Sequence, residues 1–353
     1  MMIAAVGTAL PPHRYSQAEI GAFLAELWSG DPSVVARLPA LYENVRVRAR
    51  HLALPLEAYR QLDTFGKAND VWITSALELG ERALSDALDR AGLTPGDVDA
   101  MFTVSVTGVA SPSLDARLMN RMPLRVDMKR IPIFGLGCVA GVAGIARAAD
   151  YVRAFPDQVA VLLSVELCSL TFQRGDRSIA HVISAGLFGD GAAAVVVVGA
   201  DRARAMGLDG PRVQSTRSVF YPDSEDVMGW RISERGFEIV LSAAVPTVAR
   251  ERLGPDVDRF LTDHGLDRAD IASWVCHPGG PKVLQAMQDS LDLPEASVAL
   301  CWDVLAEQGN LSSTSVLMVL RETFDRARPA PGERSLLLAM GPAFCSEIVM
   351  IGW

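Results

Sequence analysis

The chain has 353 residues, half of them hydrophobic and 21% charged, which is enough for a sizeable core and excludes a disordered, collagen-like or coiled-coil chain. Its 33 Lys and Arg against 42 Asp and Glu give a net charge of −9 with no run of five like charges, so it lacks the clustered basic face that nucleic acid needs. No apolar stretch reaches the roughly 18 to 20 residues that cross a bilayer and Met1-Met2-Ile3 lacks the basic opening of a signal peptide, so a soluble cytoplasmic protein of about two domains is expected.

In chain order, Ile3 to Val6 reads as a buried first strand. A helical pattern follows from Asp70 to Ala91, then the turn Thr94-Pro95-Gly96-Asp97 and a strand from Ala100 to Val106. Val139 to Ala154 has helical spacing, and Val159 to Ser164 and Ala192 to Val198 read as strands. The polar, turn-rich stretch from Ala200 to Gly236 reads as a junction. Beyond it come a helix from Ala243 to His264, a strand from Trp274 to Cys276, helices from Lys282 to Leu291 and Ser313 to Arg326, and strands from Ser335 to Met340 and Glu347 to Ile351. Strands alternating with helices predict an α/β fold whose parallel sheet is covered on both faces. The helix-to-strand connections at Thr94 to Asp97 and Leu266 to Asp270 resemble each other. This hints at two halves of one topology, residues 1–212 and 213–353.

The cysteines are Cys138, Cys168, Cys276, Cys301 and Cys345. Their odd number, wide spacing and lack of any CxxC pair fit neither a disulfide framework nor a zinc site. Cys138 stands out. Glycines precede it and small residues follow, in Gly135-Leu136-Gly137-Cys138-Val139-Ala140-Gly141, so it falls at a strand-to-helix turn. A helix N-terminus there favours the thiolate, the nucleophilic form. The plainer reading is a buried cysteine in a packed turn. His277 closes a strand and precedes Pro278-Gly279-Gly280-Pro281, where open α/β sheets place ligands. Its imidazole suits proton exchange with a thiol, and a core or capping histidine is the alternative. Asn310, in Gly309-Asn310-Leu311-Ser312-Ser313, offers a neutral N–H for an oxyanion, or else caps a helix. No phosphate-cradling glycine motif, HExxH or EF-hand pattern is present, so chemistry without a cofactor or metal is expected.

Together these segments resemble the type III polyketide synthases, the chalcone synthase-like family of the thiolase superfamily. The resemblance rests on Gly137-Cys138-Val139-Ala140-Gly141, Ser164-Val165-Glu166-Leu167-Cys168 with Thr171-Phe172, Leu187-Phe188-Gly189-Asp190-Gly191, Cys276-His277-Pro278-Gly279-Gly280-Pro281 and Gly309-Asn310-Leu311-Ser312-Ser313, in that order. It implies a five-layered αβαβα thiolase fold and a homodimer. It also implies that acyl-CoA and malonyl-CoA are substrates, with no further cofactor. Cys138 would carry the acyl group, His277 would keep it ionised, and His277 with Asn310 would hold the enolate formed when malonyl-CoA loses carbon dioxide. Phe188 matches a gatekeeping phenylalanine. The second gatekeeper position falls on Ile239, which implies a wider or more apolar mouth. The loop Ala339-Met340-Gly341-Pro342-Ala343 departs from the plant pattern.

Cys168, Thr171 and Ser312 fall at cavity-lining positions, and Ser111 falls where the family reaches across the dimer. A small Cys168 suggests a passage for a fatty acyl starter, as in bacterial alkylresorcinol and alkylpyrone synthases. Arg37, Arg46, Arg48, Arg50 and Lys282, with Gly279 and Gly280, are the candidates for gripping coenzyme A. Two alternatives remain at this point. One is a ketoacyl-carrier-protein synthase III-like enzyme that condenses once. The other is a non-catalytic thiolase-fold subunit that binds acyl groups or a partner.

Overall fold

A computed structural model describes all residues from Met1 to Trp353. The strands are β1 (Met2–Ala9), β2 (His13–Ser16), β3 (Ala49–Leu52), β4 (Ala100–Val104), β5 (Lys129–Ile133), β6 (Val159–Leu167), β7 (Asp190–Val198), β8 (Arg212–Phe220), β9 (Met228–Ser233), β10 (Gly236–Leu241), β11 (Ser273–Cys276), β12 (Arg334–Gly341) and β13 (Cys345–Gly352). Nine of them form one sheet in the order β11-β12-β13-β8-β1-β7-β6-β4-β5, while β2/β3 and β9/β10 form separate pairs.

The sheet is mixed, not parallel throughout. The pairs β4/β5, β4/β6 and β11/β12 are parallel, and β1, β7, β8 and β13 pair antiparallel with their neighbours. The turn Pro342 to Phe344 between β12 and β13 shows why. A parallel neighbour needs a crossover of about a dozen residues or more, and this connection is far shorter. Strands β6 and β7 are buried along their whole length. Their near-continuous apolar runs suit a sheet covered on both faces.

Strands from residues 2–198 and from 212–352 occupy opposite ends of the sheet. They meet through the single β1/β8 pair Met2 with Arg212. The backbone bonds Ile3 N–H to Pro211 O at 2.9 Å and Val213 N–H to Met1 O at 3.1 Å extend the contact.

Two helices, Ala140–Ala154 and Ser315–Arg326, lie between the inner faces of the two ends. The first touches β4, β6, β7, β12 and β13 as well as the second helix. Its sequence is rich in alanine and glycine because the space is narrow. A Cβ on Gly141 would lie 2.2 Å from the Ser313 carbonyl oxygen, well inside van der Waals contact. Glycine here brings the start of one central helix against the start of the other. A core of 53 buried residues surrounds this layer, and a second of 40 lies under the 27-residue helix Phe65–Ala91 on the outer face of β1, β6 and β7. On the other side, helices Val245–Thr262 and Pro281–Leu291 pack against each other.

The stretch expected to be a junction contains regular structure. Residues Ala200–Met206 form a helix, followed by β8 and β9. Strand β8 looks polar because much of its length is only partly covered. Helix Ile179–Leu187, which holds His181, and helices Gln17–Leu27, Leu38–Asn44 and Ala299–Gln308 were also not expected from periodicity.

Candidate active site

The site forms where the two central helices begin. Gly137 takes φ +55°, a left-handed turn, and leads into the single turn Gly137–Val139 ahead of helix Ala140–Ala154. That turn carries Cys138, 8% exposed, with its Sγ 3.7 Å from Ser312 Oγ. Ser312 is itself left-handed at φ +50°, a conformation disfavoured for a residue with a Cβ. Its N–H holds it there, donating to Asn310 Oδ1 at 2.7 Å.

That bond also orients the Asn310 amide. Oδ1 accepts from Ser312 N–H and from Ser315 Oγ at 3.4 Å, and Nδ2 donates to the Gly279 carbonyl at 2.9 Å. An amide NH2 has two hydrogens, so one N–H remains. The main chain of Asn310 is fixed by a parallel bridge to Phe188, with Asn310 N–H donating to Leu187 O at 2.9 Å and Gly189 N–H to Asn310 O at 3.0 Å. His277 continues β11, its N–H donating to Leu338 O at 2.8 Å, and its carbonyl accepts from Gly279 N–H at 2.9 Å. The ring is 3% exposed and neither nitrogen has a hydrogen-bond partner. Contacts therefore run without a break from Cys138 through Ser312, Asn310 and Gly279 to His277.

Electrostatics favour neutral groups. Burial pushes the Cys138 thiol up to about 12, with the nearby Glu166 adding to the rise, and burial pulls His277 down to about 4. Burial thus acts against the thiolate and the imidazolium alike, and attraction between the two charges would have to offset it. A rise from 9.0 to about 12 corresponds to about 4 kcal/mol. The helix N-terminus offsets only about 0.3 to 1 kcal/mol. When neutral, His277 presents one N–H and one lone pair, able to take the thiol proton as Cys138 attacks.

Glu166 was quoted in the sequence only as part of a motif. It lies wholly buried in β6, where Oε2 accepts from Ser105 Oγ (3.2 Å), Val106 N–H (3.1 Å) and Thr107 Oγ1 (2.9 Å), and Oε1 accepts from Ser313 Oγ. Burial raises its pKa to about 7, against the pull of these donors. A carboxylate whose folded pKa is raised contributes stability that is complete below its ordinary value near 4.5 and is lost as pH rises through about 7. Glu166→Gln is therefore expected to flatten the fall in melting temperature between pH 5 and 8. The span corresponds to about 3 kcal/mol. Parallel melting curves of variant and parent across that window would refute this.

Phe188, Cys168, Thr171 and Ile239 line one apolar cavity of about 70 Å³, together with Trp230, Phe172 and Phe237. The lining around Ile239 is apolar. Trp230 beside it on β9 and Phe237 on β10 line the same cavity, their ring centroids 6.0 Å apart and Phe237 also edge-on to Phe65 at 5.6 Å. Neither aromatic was singled out in the sequence, and their alternation along a polar hairpin gave no sign of which would point inward. Ser312 lies at Cys138, outside that cavity lining, and Ser111 is exposed at the cis Ser111–Pro112 bond.

The basic candidates divide. Arg37, Arg46, Arg48 and Lys282 are exposed. Arg48 pairs with Glu307 at 2.6 Å and Arg46 lies over the Trp302 ring at 5.0 Å, both on helix Ala299–Gln308. Lys282 sits in the first turn of helix Pro281–Leu291, after Gly279 and Gly280. Arg50 is buried instead. It is 2% exposed, and its guanidinium is bound to protein carbonyls. It is not available to coenzyme A phosphates, because a side chain on the inner side of β3 faces the core.

Residues 1–202 match the family of chalcone and stilbene synthases, N-terminal domain, and residues 212–352 its C-terminal domain. The chain is 53% identical over 351 residues to a 1,3,6,8-tetrahydroxynaphthalene synthase of Streptomyces peucetius subsp. caesius, covering 99% of this chain and 93% of that protein. It is 31% identical to a phloroglucinol synthase of Pseudomonas fluorescens, covering 97% and 96%. The crystal structure of the 1,3,6,8-tetrahydroxynaphthalene synthase of Streptomyces coelicolor A3(2), a bacterial type III polyketide synthase, superposes with a TM-score of 0.93 at 31% identity, over 100% of this chain and 99% of that one. With that fold and those relatives along its whole length, the chain belongs to the chalcone and stilbene synthase family and is a type III polyketide synthase, an acyltransferase of the thiolase fold that condenses CoA thioesters iteratively.

Proposed function

We propose that Cys138 takes an acyl group from coenzyme A as a thioester, that His277 and Asn310 hold the enolate from malonyl-CoA, and that the two are joined repeatedly. As Cys138 Sγ attacks, His277 accepts its proton and CoA thiolate leaves. Carbon dioxide then departs from malonyl-CoA, and its electron pair moves to the thioester oxygen as an enolate. The N–H left on Asn310 and an N–H of His277 suit that oxygen. The enolate carbon attacks the Cys138 thioester and Sγ leaves, which lengthens the chain by two carbons on CoA. The observation that carries this reading is the Asn310 amide, fixed at both ends with one donor to spare, beside Cys138 and His277.

The starter is a short one, and the product is an aromatic polyketide of the polyhydroxynaphthalene type. The relative at 53% identity is named for such a compound. Its oxygens fall on alternate ring carbons, as two-carbon units joined head to tail would leave them. The cavity behind Phe188, about 70 Å³, leaves little room for a long acyl chain, which supports the short starter.

A fatty acyl starter, leading to alkylpyrones or alkylresorcinols, is the second reading. It is favoured by the apolar continuation of that cavity past Cys168 to Ile20, Phe23, Leu24 and Leu56. We further place the chain in the cytoplasm as a homodimer, with Ser111 at the dimer contact, Arg46, Arg48 and Lys282 at the CoA mouth, and the halves dividing at residue 212. Five unpaired thiols suit a reducing compartment.

The test is a mass-spectrometric product scan with malonyl-CoA, alone and with acyl-CoA starters from acetyl to about twenty carbons, a range that separates apolar cavities by length. Aromatic product from malonyl-CoA alone or short starters is expected, with long starters accepted only once Trp230→Ala opens the cavity. Pyrones or resorcinols from long starters in the parent would replace the first reading with the second. Turnover only with a malonyl-carrier protein would overturn both.

A further inference from the structure

Arg50, unfit to bind coenzyme A, occupies a place where its charge has another use. Its Nη1 donates to the carbonyls of Ala185 (2.8 Å) and Phe188 (2.7 Å), and Nη2 donates to Gln17 Oε1 (3.1 Å). Gln17 in turn donates from Nε2 to the Gly186 carbonyl at 2.7 Å. These three carbonyls end helix Ile179–Leu187. The last carbonyls of a helix have no partner within it, and a cation there complements the dipole. Burial lowers the guanidinium to about 10, so it remains charged at neutral pH, and all its hydrogen bonds go to neutral oxygens.

The same side chain touches the other half of the Phe188–Asn310 bridge. A Cβ on Gly309 would lie 3.0 Å from Arg50 Cδ and 2.5 Å from Leu187 O, and Gly309 holds φ +73°. The arginine stem therefore packs on the residue before Asn310 while its head holds the carbonyl of Phe188. Resting on the proposed roles of Cys138 and Asn310, we infer that Arg50 is a positioning residue for the enolate step, clamping the Phe188–Asn310 bridge so that the free N–H of Asn310 stays aimed at the thioester oxygen. Arg50 touches no substrate, and the loading of Cys138 does not depend on it.

The experiment separates the two half-reactions on the full-length enzyme. One is single-turnover acylation of Cys138 by acyl-CoA, read by intact mass. The other is carbon dioxide release from malonyl-CoA. Arg50→Gln is expected to leave acylation within about twofold and to lower kcat for decarboxylation by about ten- to a hundredfold with KM little changed, the scale on which slight misplacement of a catalytic group acts. Arg50→Lys should recover part of that loss, since it keeps the charge but not the forked geometry. Gln17→Met, which leaves Arg50 in place, should give the same split at smaller amplitude even if Arg50→Gln fails to fold. Equal losses in both half-reactions, or a raised KM with kcat unchanged, would overturn the inference. If the parent enzyme shows neither acylation at Cys138 nor carbon dioxide release, it is the proposed function that fails.

Discussion

Replacing Cys138 with alanine is expected to lower polyketide formation by on the order of 10⁴ or more, the range seen when a covalent nucleophile is deleted. No other thiol substitutes. Cys276 and Cys301 are fully buried; burial drives Cys168 well above the ordinary thiol range, and a hydrogen bond with Cys301, followed by burial, does the same to Cys276. The fold should survive, because Cys138 Sγ makes one weak contact, 3.7 Å to Ser312 Oγ. A buried free cysteine otherwise acts as a small apolar group, so the loss in stability is about 1 kcal/mol. Carbon dioxide release from malonyl-CoA should continue, since His277 and Asn310 are untouched. The measurements are product by mass spectrometry, melting temperature and carbon dioxide release. Substantial chain extension by the variant would end the proposal that Cys138 carries the acyl group.

Asn310→Asp is expected to be nearly as damaging, although the two side chains have the same shape. The Asn310 amide gives one hydrogen to Gly279 O at 2.9 Å and accepts from Ser312 N–H at 2.7 Å. A carboxylate keeps the second contact and loses the first, setting oxygen against oxygen. It also places a negative charge where the enolate develops. Losing a preorganised donor alone costs about 10² to 10³ in rate, and the charge adds to this in a site closed to water.

Both decarboxylation and condensation should fall by on the order of 10³ or more, while acylation of Cys138 falls far less. Burial favours the protonated acid, which can donate. The Asp variant should therefore recover part of its activity as pH is lowered toward 5, and Asn310→Ala should not. Steady-state decarboxylation rates from pH 5 to 8 decide the matter. An Asp variant within tenfold of the parent at pH 8 would remove Asn310 from the enolate step.

Much of the architecture was legible because its signals are local. The valine-rich run of β7 and the apolar runs of β12 and β13 follow from burial of a sheet on both faces. Val139 to Ala154 reads as a helix and, through its small residues, as one that packs closely, and the helix found is Ala140–Ala154. The amphipathic helix Gln17–Leu27, with its Ser16 and Glu19 capping box, was equally local and went unread. Strand direction was not local. β13 runs antiparallel to β12 because a three-residue turn joins them, a fact of connection that periodicity does not carry.

The same division holds at the site. Cys138, His277 and Asn310 stood out by their neighbours: glycines before the cysteine, a Pro/Gly turn after the histidine, Ser and Thr after the asparagine. Sequence also determined that Gly141 and Gly309 carry no side chain, which is what lets the elements approach. Only the tertiary structure decided what those elements meet. It turned Arg50 inward onto the Phe188 carbonyl, set Trp230 and Phe237 beside Ile239 in one cavity lining, and sealed Glu166 under four donors. It also buried the thiol and the imidazole, which opposes charge on both. The reason is the same throughout. A residue's identity and spacing travel with the chain, but desolvation, side-chain direction and hydrogen-bond partners come from segments tens to hundreds of positions away.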